Sequence, residues 1–275
     1  MAVEWAQEAD PGGLRRGSDR PPPASGSAAV VDPISGGTPG VADTGPRHQV
    51  RLVIFDFDGV LVDTADDITH AANQLLAEHR RPPARLDLVR RLIGGGAEGL
   101  VRHLLPEVDG ATAAAAAARF KKYYGACYDQ RSRLYPGVAP TLARLRAAGL
   151  LLAVATNKVE AITIDLIDKL GIDGYFAAVV GAESVGRRKP DPESLYLILE
   201  RLRVAPGQAI MVGDTAADIV AGRAAGMPTC ADLGGYGTPG EIRAAGPDHA
   251  ISSIEELPGL LGLADLPAQS NPVSW

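Results

Sequence analysis

The chain has 275 residues, of which 46% are hydrophobic and 22% charged, with a formal charge of −6, the composition of a soluble globular protein of one or two domains. Its two cysteines cannot build a disulfide framework, and five scattered histidines with no CxxC pair exclude a zinc site of the paired-cysteine kind. The acidic balance, with a pI of about 5.4, argues against a nucleic-acid partner, and the longest apolar run of the middle of the chain, residues 149–156, is far too short to cross a bilayer.

Residues 1–48 hold 7 prolines and 8 glycines and show no hydrophobic period. Such a segment cannot bury enough apolar surface to offset its ordering entropy, so a disordered leader is expected there. Glu4, Glu8 and Asp10 stand where a secretory signal needs a basic start and an apolar stretch, which makes the cytoplasm the expected compartment. Residues 264–275 read as a loose C-terminal tail.

From residue 50 the pattern changes. Short, nearly continuous apolar runs occur at 50–57, 150–156, 177–180, 209–213 and 228–233, with a weaker one at 249–252; strands buried on both faces read this way. Helical spacing fills 138–148, 159–170, 192–203 and 216–225. The alternation predicts an α/β fold with a Rossmann-like, doubly wound parallel sheet. One interval breaks the rhythm. Thr64, with Asp67 three residues on, reads as the cap of a helix carrying Ile68, Ala72, Leu75 and Leu76 on one face, and Pro82 and Pro83 end it. Further helices are expected at 86–93, 98–105 and 111–127. A helical cap domain over 66–132 is therefore expected, inserted into a core formed by 49–65 and 133–263. At the carboxyl ends of the strands, where ligands of such sheets bind, it would lie over the site as a lid.

Four polar clusters follow the apolar runs. The first run leads into Asp56-Phe57-Asp58-Gly59, a pair of carboxylates that needs a cation or hydrogen bonds if buried. The second ends Ala155-Thr156-Asn157, a hydroxyl and an amide that suit an oxyanion or a helix cap. Lys189-Pro190-Asp191-Pro192 follows the third and holds Lys189 in a proline-bounded loop, while Arg187 and Arg188 are expected to face solvent. The fourth leads into Gly213-Asp214-Thr215-Ala216-Ala217-Asp218, with Asp218 also placed to suit a helix dipole. Because each cluster falls at the carboxyl end of a different strand, they converge on one rim. Asp56, Asp58 and Asp214 offer hard oxygen ligands suited to Mg²⁺. Thr156, Asn157 and Lys189 offer donors and positive charge to a phosphoryl group, and the whole set serves phosphoryl transfer.

The ordered motifs, DxDGVxxD, a strand ending in Thr, Lys-Pro and GDTxxD, resemble the haloacid dehalogenase superfamily of phosphohydrolases over roughly residues 50–262. The inserted helices resemble that superfamily's first-position cap, and the leader and tail depart from it. Three finer segments are similar to phosphoglycolate phosphatases: Leu92-Ile93-Gly94-Gly95-Gly96-Ala97-Glu98, Tyr135-Pro136-Gly137-Val138 and the closing His249-Ala250-Ile251-Ser252-Ser253-Ile254-Glu255-Glu256-Leu257. The resemblance implies a small phosphomonoester as substrate, most specifically 2-phosphoglycolate. It implies Asp56 as nucleophile, Asp58 as acid and base, and Mg²⁺ on the Asp56 and Asp214 carboxylates and the Asp58 carbonyl. Thr156, the Asn157 backbone and Lys189 would hold the phosphoryl oxygens, and Asp218 would orient the network.

Gly94, Gly95 and Gly96 precede a helix start, where backbone N–H groups can approach a small anion; they serve equally as an interhelical turn. A hexose-phosphate mutase like β-phosphoglucomutase, or another small-phosphate or pyrophosphate hydrolase of the same superfamily, remains the alternative. A receiver domain of a signalling relay would share the Asp, Thr and Lys but would lack the large insertion. A phosphonatase would want a cap lysine near the first cap helix, where Lys121 and Lys122 do not lie.

Overall fold

The computed structural model describes residues 50–263; the leader expected over 1–48 and the tail over 264–275 lie outside the described residues. The strands are β1 (Leu52–Phe55), β2 (Val62–Asp63), β3 (Arg133–Leu134), β4 (Leu151–Ala155), β5 (Ala178–Val180), β6 (Ala209–Gly213), β7 (Thr229–Asp232) and β8 (His249–Ile251). The helices are α1 (Ala65–Glu78), α2 (Leu86–Leu92), α3 (Gly96–Leu104), α4 (Gly110–Gly125), α5 (Val138–Ala147), α6 (Glu160–Lys169), α7 (Glu193–Leu202), α8 (Ala216–Ala224), α9 (Pro239–Ala245) and α10 (Leu257–Leu260). Six strands form one parallel sheet in the order β5-β4-β1-β6-β7-β8. The chain winds outward from β1 to β5, crosses back to β6 and winds outward again. The reversal beside β1 opens a crevice at its carboxyl end.

Strand β1 shows why the sheet is buried on both sides. All four of its side chains are buried, and the period-2 geometry of a strand sends them alternately to opposite faces. Val53 and Phe55 join Leu142 and Leu145 of α5 and Leu166 of α6 in one core, whereas Leu52 and Ile54 join Leu195 and Ile198 of α7 and Met211 of β6 in the other. Burying each large apolar side chain stabilises the fold by about 1.5–3 kcal/mol.

The long interval holds α1 to α4, which pack on one another. Helix α4 is rich in alanine, the strongest helix former. Its N-cap Asp109 accepts from the Thr112 N–H at 2.7 Å, and it buries Ala116, Phe120 and Tyr124 at fourfold spacing. The core of the first face continues from Phe57 and Leu61 into Ile68, Leu75 and Phe120, so cap and sheet share apolar packing. The chain enters and leaves the cap through a two-stranded antiparallel ribbon, Val62 opposite Leu134 and Asp63 opposite Arg133. No helix among the described residues is long and apolar enough to cross a membrane.

The structure corrects three local expectations. Thr64 sits at the N-cap of α1 but makes no side-chain cap hydrogen bond; its hydroxyl donates to Asp58 instead, at 2.7 Å. Asp67, expected to complete that cap, is buried and accepts from the backbone N–H groups of Arg131 and Ser132, both at 2.9 Å. It thereby ties the start of the cap to its exit. Helix α3 begins at Gly96, two residues before the expected start.

Removing the Asp67 carboxylate leaves buried N–H groups without an acceptor, each costing about 1–3 kcal/mol. Asp67→Ala is expected to destabilise the protein by about 3 kcal/mol in a denaturant titration. Asp67→Asn, which retains one acceptor oxygen, should cost clearly less.

Candidate active site

Asp56 is the first residue beyond β1. Its N–H donates to the Val212 carbonyl at 2.9 Å, which holds it in the sheet register. Its Oδ1 accepts from the Phe57 N–H at 2.6 Å and lies 3.0 Å from Lys189 Nζ. The Lys189 ammonium is buried; it also donates to the Ala155 carbonyl at 2.7 Å and to Asp218 Oδ1 at 2.5 Å. Asp218 has a second task. Its Oδ2 accepts from the Thr215 N–H at 3.0 Å and from the Thr215 hydroxyl at 2.6 Å, closing a capping box at the start of α8. One buried carboxylate thus fixes both the helix and the lysine.

Asp214 follows β6 and is fully buried. Its Oδ2 accepts from the Tyr236 N–H at 2.6 Å, while its Oδ1 is buried without a hydrogen-bond partner. Carboxylate oxygens of Asp56, Asp214 and Asp218 lie within 4.8 Å of one another. Both oxygens of Asp218 are taken by Lys189 and Thr215, so Asp56 and the orphaned oxygen of Asp214 are the donors left to a cation. Buried, all-oxygen and anionic, the set fits a hard divalent ion. Gly59 makes this closeness possible. Its φ is +88°, and a Cβ there would stand 2.1 Å from Asp214 Oδ2.

Asp58 turns the other way, toward the cap. Its carboxylate accepts from the Thr64 hydroxyl and from Lys158 Nζ, the latter at 2.9 and 3.2 Å. Lys158 is itself buried and lies 4.5 Å from the centre of the Tyr124 ring of α4. Thr156 is buried, and its hydroxyl accepts from the Lys158 N–H at 3.2 Å. The Asn157 side chain spans two segments: its amide donates to the Gly94 carbonyl at 2.7 Å and the Lys189 carbonyl at 3.0 Å, and its oxygen accepts from the Lys189 N–H at 3.0 Å.

Several of these groups line one cavity of about 80 Å³ between core and cap. Asp56, Asp58, Thr156, Asn157 and Lys158 line it from the core; Gly94, Gly96, Leu100, Phe120 and Tyr124 line it from the cap. Gly95, at the N-cap of α3, has an ordinary φ of −77°. Gly96 has a φ of +67°, and a Cβ on it would meet Arg188 Nη1 at 2.7 Å. Arg188 therefore does not face solvent as expected. Its side chain is 32% exposed against 75% for Arg187, it lines the cavity, and its guanidinium donates to Glu98 of α3.

A family model described as haloacid dehalogenase-like hydrolase matches residues 53–231. The chain belongs to the haloacid dehalogenase-like hydrolases. A relative named phosphoglycolate phosphatase, plasmid, from Cupriavidus necator is 40% identical over 220 residues, spanning 78% of this chain and 94% of that one. Phosphoglycolate phosphatase of Escherichia coli K12 is 35% identical over 237 residues, with the same coverage of both chains. The crystal structure of a predicted phosphoglycolate phosphatase from Haemophilus somnus superposes with a TM-score of 0.72 at 30% identity, covering 77% of this chain and 98% of that one. CbbY from Rhodobacter sphaeroides, solved in complex with phosphate, gives 0.67 at 25% identity, covering 78% and 99%.

In this hydrolase the structure brings Asp56, Asp214, Asp218 and Lys189 into direct contact or near it, and sets Asp58, Thr156 and Asn157 around the adjoining cavity. Lys158, Tyr236, Glu98 and Arg188 are site residues that reading the motifs missed. Lys158, Arg188 and Glu98 stood beside or within quoted motifs, after Asn157, before Lys189 and at the end of the Leu92–Glu98 segment. Tyr236 lies in a glycine-rich segment with no period to mark it.

Burial pushes the Asp56 carboxyl up to about 7, against the pull of Lys189. Burial, then Asp56, raises Asp214 well above the carboxylate range. Burial pulls Lys189 down, but Asp218 and Asp56 outweigh it and hold the ammonium charged. Two carboxyls raised in the fold bind protons that the unfolded chain has released. The Asp56 contribution is complete below the ordinary carboxyl value of 3.8 and is lost as pH rises through about 7, and the raised Asp214 acts in the same direction. In EDTA, the hydrolase should therefore lose Tm between pH 5 and pH 8, by several degrees, and Asp56→Asn should flatten that slope in a thermal-melt series.

Proposed function

We propose that this phosphoric monoester hydrolase is a magnesium-dependent phosphatase of small phosphomonoesters, acting in the cytoplasm, and that its preferred substrate is 2-phosphoglycolate. The observation that carries the reading is the buried Asp56 carboxylate, restrained by Lys189, beside a small cavity that Asp58 also lines. The relatives that bear the name phosphoglycolate phosphatase support the choice of substrate. The cavity wall supplied by the cap is largely apolar, with Ile68, Leu92, Ile93, Leu100 and Phe120. A hexose would leave several hydroxyls without partners against such a wall; a two-carbon acid has only its carboxylate to satisfy.

The mechanism assigns roles to the site residues, with Asp58 protonated when the substrate is bound. Asp56 attacks phosphorus, the bond from phosphorus to the ester oxygen breaks, and an aspartyl-phosphate forms on Asp56. Asp58 donates its proton to the departing glycolate oxygen and then takes a proton from water. That water attacks the phosphorus, the acyl-phosphate bond breaks, and phosphate leaves with the Asp56 carboxylate restored. Lys189, Thr156 and the backbone at Asn157 carry the charge of the phosphoryl oxygens. Asp218 acts through Lys189 as a positioning residue. Gly94, Gly95 and Gly96 bring the cap loop over the non-phosphate end of the substrate. The Asp56 and Asp214 carboxylates, with the Asp58 backbone carbonyl, would hold magnesium. When bound, magnesium supplies positive charge that offsets the repulsion between the nucleophile and an anionic phosphate.

Phosphate release from 2-phosphoglycolate, glucose phosphates and pyrophosphate, each with Mg²⁺ or EDTA, tests the proposal. The highest kcat/KM is expected for 2-phosphoglycolate, EDTA should abolish turnover, and Asp56→Asn should lower kcat by at least ~10³-fold while remaining folded. A clear preference for a hexose phosphate would overturn the substrate assignment. Turnover by Asp56→Asn at more than a few per cent of wild type would overturn the nucleophile. Magnesium should also raise the Tm of the EDTA-treated protein at neutral pH, because a ligand of the folded state alone stabilises it.

A further inference from the structure

The rim of the cavity holds a group of charges that the chemistry above does not use. Glu98, in the first turn of α3, is bracketed by two cations. Lys121 Nζ of α4 donates to its Oε1 at 2.9 Å, and the Arg188 guanidinium donates to its Oε2. Burial raises the Glu98 carboxyl, but the two hydrogen bonds outweigh it and bring it down to about 2. Lys121 and Arg188 line the same cavity as Asp56 and Asp58.

The balance of charge around the cavity is uneven. Lys158 is matched by Asp58. Lys189 is shared by Asp56 and Asp218. Lys121 and Arg188 share one carboxylate, Glu98, a local excess of one positive charge within a lining whose three cations and three carboxylates otherwise balance. Glu183, another carboxylate of the lining, accepts from the Glu160 N–H at 3.0 Å and does not pair with them. The surplus lies beside Gly96, whose missing side chain leaves room for the Arg188 guanidinium. Arg188 is also the chain neighbour of Lys189. One short segment thus presents an ammonium to Asp56 and a guanidinium to the cap side of the cavity.

We infer that Arg188 is the receiver for the substrate's carboxylate, that Glu98 occupies this place until the substrate enters, and that Lys121 holds Glu98 once it is displaced. The inference rests on the phosphoglycolate reading and names the residues that would select it. A guanidinium presents a planar fork of donors that matches a carboxylate. Arg188 would exchange one carboxylate for another while Glu98 stays on Lys121, so little charge is left unpaired as the substrate binds. A phosphoester without a carboxylate offers nothing in exchange and leaves Glu98 where it is. Arg188 is on this account a specificity-determining residue, set apart from the reacting atoms.

The test compares kcat/KM for 2-phosphoglycolate with that for ethyl phosphate, which keeps the two-carbon ester and lacks the carboxylate. In Arg188→Gln the ratio of the two should fall by about 10- to 100-fold, the loss of a hydrogen bond to a charged group. Arg188→Lys should restore part of it, and Lys121→Gln should lower it less. Glu98→Gln should lower KM for 2-phosphoglycolate relative to ethyl phosphate, because the competing carboxylate is gone. A high wild-type ratio that survives in Arg188→Gln, or equal changes on both substrates in Arg188→Gln and Glu98→Gln, overturns the inference and leaves the pair as a latch between cap and core. A wild-type ratio near one removes the phosphoglycolate reading itself, and the receiver with it. Thermal melts of each variant separate these outcomes from misfolding.

Discussion

The buried ammonium of Lys189 is the contact around which the site is organised. Three buried carboxylates, Asp56, Asp214 and Asp218, have oxygens within 4.8 Å of one another beside it. Taking such groups out of water is costly unless they are paired. Lys189 touches two of them and the carbonyl of Ala155, so it joins the ends of β1, β4 and α8 in one network. Asp214 stands outside that pairing, with one oxygen satisfied by Tyr236 and one by nothing in the protein. The burial that raises Asp56 and Asp214, together with their crowding by other carboxylates, is what suits the place to a divalent cation.

The sheet makes this concentration of charge possible. Parallel strands that all end at one level deliver four loops to one rim, and the reversal beside β1 keeps the rim open. Apolar packing on both faces holds β1 rigid enough for its terminal carboxylate to be aimed. The cost of crowding is met by details of backbone, such as Gly59, where any side chain would strike Asp214.

The core reaches the cap through side chains on the segments proposed to hold phosphate. Asn157, next to Thr156, donates to the Gly94 carbonyl. Lys158 pairs with Asp58 and lies on the Tyr124 ring. Arg188, next to Lys189, pairs with Glu98. Neighbouring residues on two short loops therefore serve different parts of the cavity, one facing the strand ends and the next facing the helices. Any opening of the cap must break the Asn157–Gly94 and Arg188–Glu98 contacts, which ties access to the cavity to the loops that form its floor.

The sheet strands and the main helices were legible because their signals are local. A strand buried on both faces must be continuously apolar, and polar clusters at the ends of such runs must share a rim if the strands are parallel. The short ribbon of β2 and β3 and the helix α9 escaped notice because two residues have no period and Pro239-Gly240 hides a helix start. Thr64 and Asp67 show the limit most clearly: their spacing fits a helix cap, yet both side chains bond elsewhere, to Asp58 and to the cap's exit. Arg188 looked like a surface charge because its partner Glu98 lies ninety residues away in the cap. The sequence by itself determined the fold class, the succession of strands and helices along the chain and which residues follow the strand ends, since these follow from periodicity and chain direction. Tertiary structure alone decided which carboxylate meets which cation, because hydrogen bonds and ion pairs depend on distances between segments that no spacing along the chain records.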